Sequence, residues 1–130
     1  MTTSIQDVID ARTAYREKLQ EVGREAVVDA LKPLFAANPT IQYVTWTQYT
    51  PYFNDGEPCT FYSNHSYAGI FGSRDVLDES YYEDGDIEDA VLPQAFRDIP
   101  DDIMQACFGD HVQIIVSREG KVEVDEYNHD

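Results

Sequence analysis

Apolar residues at Ile5, Val8, Ile9, Tyr15, Leu19, Val22, Ala26, Val27, Leu31, Leu34 and Phe35 recur at intervals of three and four, the spacing that lines one stripe of a helix. Residues 1–37 therefore read as helical, with that stripe turned toward a core. Ser4 is placed to cap the start, and Asp7, three residues on, suits the positive end of the helix dipole. Arg12, Arg16, Glu17, Lys18, Glu21, Glu25 and Asp29 fill the other side in mixed sign, as a solvated face does. Gly23 costs about 1 kcal/mol in a helix interior relative to Ala, so it either divides the segment into two helices or permits close packing. Pro33 belongs near the end, and Asn38-Pro39 closes the segment because the residue before proline is pushed out of the helical basin.

From Thr40 the period shortens to two. Ile41, Tyr43, Thr45, Thr47 and Tyr49 alternate with Gln42, Val44, Trp46 and Gln48, both sets rich in β-branched and aromatic residues, which predicts a strand apolar on both faces with Trp46 buried. Asn54-Asp55-Gly56 supplies residues that tolerate positive φ, and Cys59 to Tyr62 resumes an extended pattern, so residues 40–62 read as a hairpin, with Pro51 and Pro58 confining it to an edge position. Residues 64–73 are small, aromatic and punctuated by glycine, consistent with a third strand or a packed loop. Pro100, Asp101 and Asp102 open a short buried helix that ends at Gly109. Val112, Ile114 and Val116, a turn at Glu119-Gly120, then Val122, Val124 and Tyr127 make a C-terminal hairpin. Helix, strands, short helix, strands does not alternate as a parallel α/β sheet requires. The pattern predicts a single α+β domain over residues 1–130, with an antiparallel sheet of about four strands packed against the N-terminal helical segment and a short second helix.

Charge then narrows the function. Nine basic residues stand against 25 acidic ones in 130, a formal net charge of −16. That excludes an ordinary nucleic-acid binder, which needs a basic face to displace counterions, and it excludes docking on anionic membranes. The polar N-terminus has no signal-peptide core and no run is apolar enough to span a bilayer, so a cytoplasmic protein is expected. The acid is uneven. Residues 74–102 hold eleven acidic side chains against Arg74 and Arg97, a local balance of −9. Val76, Leu77, Tyr81, Tyr82, Ile87, Val91, Leu92 and Phe96 are interleaved as anchors that pack the stretch onto the domain. Asp78, Glu79, Tyr81, Tyr82, Glu83, Asp84, Asp86, Glu88 and Asp89 are the candidate partner-binding residues.

No recognisable catalytic signature accompanies them. An EF-hand register around Gly85 would put Ser80, Tyr82, Asp84 and Val91 at ligand positions, and around Gly56 it would put Pro51, Phe53, Asp55 and Tyr62, so the motif fails twice. His65, His111 and His129 lie far apart, and Cys59 and Cys107 have no partner at zinc-ligand spacing. No metal or other cofactor is implied, and the two cysteines are expected to be unpaired. Cys59 and His65 are the nearest nucleophile and base, but the plainer reading is a small packed cysteine and a surface histidine. Residues 40–73 carry no Lys or Arg, so their crowded aromatics suit sheet packing or a protein interface better than stacking on nucleic acid.

The segment WTQYTPYFNDGEPC, Trp46 to Cys59, resembles a segment of small uncharacterised bacteriophage and bacterial proteins, and the end of the chain from Phe108 to Asp130 is similar to the end of the same group. The resemblance covers about a third of the chain. It implies a phage or prophage setting and transfers no activity. The expectation is a non-enzymatic acidic interaction or inhibitor protein that occludes a basic surface of a nucleic-acid-processing or defence protein, in the manner of a DNA mimic. A small ligand-binding or hydrolytic domain that uses the aromatic hairpin as a pocket is the alternative from another class. An accessory or structural phage protein whose acid serves solubility is a third.

Overall fold

In the computed structural model, which describes residues 3–51, 56, 59–79, 85–87 and 89–127, the helical period yields one unbroken helix, α1 (Ile5–Ala37). Its start is closed twice: the Ser4 hydroxyl accepts from the Asp7 amide at 3.2 Å, and the Ser4 amide donates to the Asp7 carboxylate at 2.9 Å. Gly23 does not divide the helix. A Cβ there would lie 2.1 Å from Cys107 Sγ, so the missing side chain lets a second helix approach. Pro33 is accommodated inside the last turns.

The single-stripe expectation needs correction. At 1.5 Å per residue, α1 is about 50 Å long, whereas a 130-residue body is only about 36 Å across. The helix outruns what it covers. Val27, Leu31, Leu34 and Phe35 are buried, while Ile5, Val8, Ile9, Tyr15 and Val22 stand exposed.

Strand β1 (Tyr43–Tyr49) is the spine of an antiparallel sheet. On one side it pairs β4 (Val112–Ser117) from Tyr43↔Ser117 to Gln48↔Val112. On the other side β3 (Gly69–Phe71) pairs residues 43–45 and β2 (Tyr62–Ser63) pairs residues 48–49. β2 and β3 are the two ends of one neighbouring strand, interrupted by a 3-10 helix at Asn64–Tyr67. β5 (Val122–Glu126) completes the sheet as the hairpin partner of β4. The edge position expected for the hairpin of residues 40–62 holds for its second arm alone: β2 lies at the edge, β1 is central, and β1 ends at Tyr49, before Pro51 can remove a ladder hydrogen bond. Asn54, Asp55 and Pro58 lie outside the described residues.

Alternation along β1 decides what each face does. Val44 and Trp46 join Ile114 and Val116 under α1, α3 (Gln94–Arg97) and α4 (Asp101–Phe108), with Phe96, Met104, Cys107 and Phe108 closing the layer. Trp46 is buried as expected, its ring edge-on to Phe96 at 5.3 Å and Phe108 at 5.7 Å. The opposite face carries a smaller cluster of Phe71, Leu77 and Ile115 with Tyr43 beside it, under the short helix α2 (Arg74–Glu79). Among the anchors named for residues 74–102, Leu77, Leu92 and Phe96 are buried, but Val76 and Val91 are exposed; Tyr81 and Tyr82 fall outside the described residues.

One polar side chain sits in the middle of the helix-facing layer. Gln48 is fully buried and all its hydrogen-bonding capacity is used. Its amide nitrogen donates to the carbonyls of Met104 and Gly109 at 2.9 and 2.8 Å, and its oxygen accepts from Trp46 Nε1 at 3.2 Å and Ser63 Oγ at 3.1 Å. It ties the end of α4 to the centre of the sheet.

Candidate functional site

The register of β4 and β5 sends Val122 and Val124 to the helix-facing core, opposite Val116 and Ile114, so Glu123 and Asp125 must point to the other face. That is the face α2 crosses. Asp75, Asp78 and Glu79 of α2 are exposed above it, and one cation is seated between the two acidic elements. Arg74 donates to Asp78 at 3.0 Å and to Glu123 at 2.6 Å, its guanidinium 5.8 Å from the centre of the Tyr43 ring. These contacts, with Glu123 the largest contribution, hold the guanidinium more firmly protonated than usual. Five carboxylates, from two segments at least 44 residues apart in sequence, share one face with Arg74.

Of the expected binding residues, Asp78 and Glu79 stand on this face. Asp86 is exposed but already engaged: its carboxylate accepts the Gly72 amide at 3.0 Å, while the neighbouring Ile87 amide donates to the Ile70 carbonyl at 3.2 Å. This fastens the acidic stretch to the free side of β3. Gly85 is required there, since a Cβ would fall 2.1 Å from the Ile70 carbonyl oxygen. Asp89 lies elsewhere, beside Pro33 and Leu34 of α1 on a shallow apolar cavity of about 360 Å³. Tyr81, Tyr82, Glu83, Asp84 and Glu88 lie outside the described residues. Glu123 and Asp125 were missed, although their alternation with Val122 and Val124 was a usable signal.

A second concentration of polar groups joins the ends of β1 and β4. The Asp110 carboxylate accepts the Thr50 amide at 2.8 Å, the Thr50 hydroxyl at 2.6 Å and the His111 amide at 2.8 Å. His111 takes a left-handed φ of 55° and its Nε2 stands 3.6 Å from Asp110. Nearby, the Tyr49 hydroxyl is hydrogen-bonded to that of Tyr62, and burial followed by this bond raises the Tyr49 pKa. A carboxylate that accepts three hydrogen bonds and a phenol held neutral make a structural clamp rather than an acid-base pair.

The expected placement of Cys59 and His65 is reversed. Cys59 is at the surface, and His65 is 1% exposed, edge-on to Phe96 at 5.6 Å, with Nδ1 2.8 Å from Ser63 Oγ. The same Ser63 hydroxyl bonds Gln48, so one side chain links the ring to the buried amide. Burial lowers the His65 pKa, offset in part by the backbone carbonyls of Ile99 and Arg97 and by the charge of Asp101. The imidazole is a core group.

Among the described residues, no group of three or more His, Cys, Asp and Glu side chains is placed to hold a metal ion, and no helix is long and apolar enough to cross a membrane. A 440 Å³ cavity beside Tyr67, Ile70 and Arg97 and the 360 Å³ cavity beside Asp89 are lined by neither Trp46 nor Tyr49. Compared with protein families, curated proteins and solved structures, the chain matches none of them.

Proposed function

We propose that this chain is an acidic interaction protein that docks the α2–β5 face on a basic surface of another protein. The observation that carries the reading is segregation of charge. Helix α1 holds five of the nine basic residues and is net −1, which leaves −15 on the remaining residues with four cations among them. Acid used only for solubility has no reason to gather where Asp75, Asp78, Glu79, Glu123 and Asp125 meet one arginine. Clustered carboxylates on a rigid sheet and helix set up a local potential that raises the encounter rate with a cationic patch. A partner that normally holds nucleic acid presents such a patch, and a phage-encoded inhibitor of a nucleic-acid-processing or defence protein is the biological form this reading takes.

Affinity capture from a bacterial lysate, followed by association kinetics with the captured protein, tests it. A face variant combines Asp75→Asn, Asp78→Asn, Glu79→Gln and Asp125→Asn, sparing the Glu123 contact to Arg74. A control neutralises Glu17, Glu21, Glu25 and Asp29 on α1. The face variant should associate at least about tenfold more slowly at low salt while the control stays close to wild type. Equal loss in both variants, or none in either, refutes the assignment of the face.

A further inference from the structure

The N-terminal half of α1 presents an apolar stripe that the fold leaves largely uncovered, α4 reaching it only beside Leu19. Ile5 is 76%, Val8 57%, Tyr15 68% and Val22 50% exposed, with Leu19 half-buried between them. A projecting helix of this length holds its shape poorly in water without a packed face. Ile5, Val8, Arg12, Tyr15, Leu19, Val22 and Ala26 follow each other by alternating steps of three and four, the spacing of a two-helix seam. The stripe is not the core stripe prolonged. At 100° per residue it lies roughly 120° around the helix from Val27, Leu31, Leu34 and Phe35, so it forms a separate face.

We propose that this arm pairs antiparallel with the same arm of a second copy of the chain, independently of the acidic-face reading above. Three observations select that occupant. The first is charge: residues 5–22 are net −1, four acids against three bases, in a chain of −16. The arm is a nearly neutral surface on which two such chains approach with little repulsion. The second is register. An antiparallel pair centred between residues 13 and 14 sets Ile5 against Val22 and Val8 against Leu19 of the other copy. It also sets Arg12 against the Tyr15 ring, a cation over an aromatic face. A parallel pair would instead stack Arg12 on Arg12. The third is distance. Antiparallel pairing separates the two Val27 positions by about 40 Å along the axis, roughly five screening lengths at physiological ionic strength, so the acidic bodies do not oppose it.

The paired stretch is about 27 Å long and about 10 Å wide on each copy, about 540 Å² in total, below the size of stable specific interfaces and in the range of weak, transient ones. The dimer is therefore reversible and concentration-dependent, an isologous two-fold contact.

Sedimentation equilibrium from about 1 µM to about 1 mM should show mass rising from 14.8 kDa toward twice that value. Val8→Asp and Tyr15→Asp, both at exposed positions, should each weaken self-association at least about tenfold with the denaturation midpoint of the body unchanged. Orientation is read by disulfide trapping in a Cys59→Ser background. Mixed Ile5→Cys and Val22→Cys chains should cross-link to each other, and Ile5→Cys alone should not. A monomer at every concentration overturns the proposal and leaves the arm to a different partner. A dimer indifferent to Val8→Asp and Tyr15→Asp, or one that traps Ile5→Cys with itself, overturns it as well.

Discussion

Replacing Gln48 with Leu keeps roughly the same volume in the centre of the core and removes four hydrogen bonds. Two of the abandoned groups have other partners. Ser63 Oγ keeps His65 Nδ1, and the Met104 carbonyl keeps the Phe108 amide within α4. The Trp46 indole N–H loses its partner with no water at hand, since Trp46 is 2% exposed, whereas the Gly109 carbonyl is only half-buried. A buried group left unsatisfied costs about 1–3 kcal/mol and the half-buried carbonyl adds about 1 kcal/mol, so the two cost about 2–4 kcal/mol, less about 1 kcal/mol returned by the more apolar side chain. Total stability for 130 residues is of order 6–20 kcal/mol, so a net loss near 2 kcal/mol is large. With a urea slope of about 1–3 kcal/mol per molar, the midpoint should fall by about 0.7–2 M. Gln48→Glu should behave differently with pH. Its carboxylate can accept from Trp46 and Ser63 but faces two carbonyls, so its folded pKa is raised above the unfolded value. That variant should lose stability as pH rises through the range between the two values and recover on acidification. A Gln48→Leu midpoint within about 0.3 M of wild type would refute the claim that this amide is what ties α4 to the sheet.

Two further outcomes follow from the packing. Gly23→Ala gains about 1 kcal/mol of helix propensity but drives a methyl into Cys107 Sγ; it should destabilise by about 1–2 kcal/mol net, and Cys107→Ala in the same chain should restore stability in a double-mutant cycle. His65, whose folded pKa is lowered by burial, binds fewer protons folded than unfolded. The chain should therefore lose stability as pH falls below about 6.5, and His65→Asn should flatten that slope in denaturant titrations between pH 7 and 5.

Much of the fold was legible because its elements are locally coded. The reciprocal cap at Ser4 and Asp7, the two-residue period of 112–116 and 122–124, and the stop at Gly109 each depend on neighbours a few residues away. What was not legible depends on distance along the chain. Gln48 sits in a strand that looked apolar on both faces, and the carbonyls that make its burial tolerable come from residues 56 and 61 positions later. The stripe of α1 announced amphipathicity correctly, but periodicity carries no information about what covers a stripe, and the sheet is too short to reach Tyr15. His65 entered the core because Ser63 and Phe96 receive it, which no motif announces. The acidic cluster at 74–79 was visible as composition. Its enlargement by Glu123 and Asp125 required knowing that β5 lies beside the start of α2, a fact of sheet order.

The two proposals make opposite demands on salt, and this separates them in one experiment. α1 covers the helix-facing side of the sheet and its arm projects beyond the body, while α2 and the outward carboxylates of β5 occupy the other side, so neither surface needs the other. Docking of the acidic face on a cationic partner is attraction between opposite charges, and screening weakens it as ionic strength rises. Pairing of the arms is apolar contact made against residual repulsion between two chains of −16. Screening weakens that repulsion and strengthens the pair. Raising salt from about 0.05 to about 0.5 M shortens the screening length from about 14 to about 4 Å. The association rate with the captured partner should fall steeply over this range while the self-association constant rises or holds. If both fell together, self-association would be electrostatic, and the contact between copies would have to be sought between the acidic face of one chain and the basic residues of α1 on another.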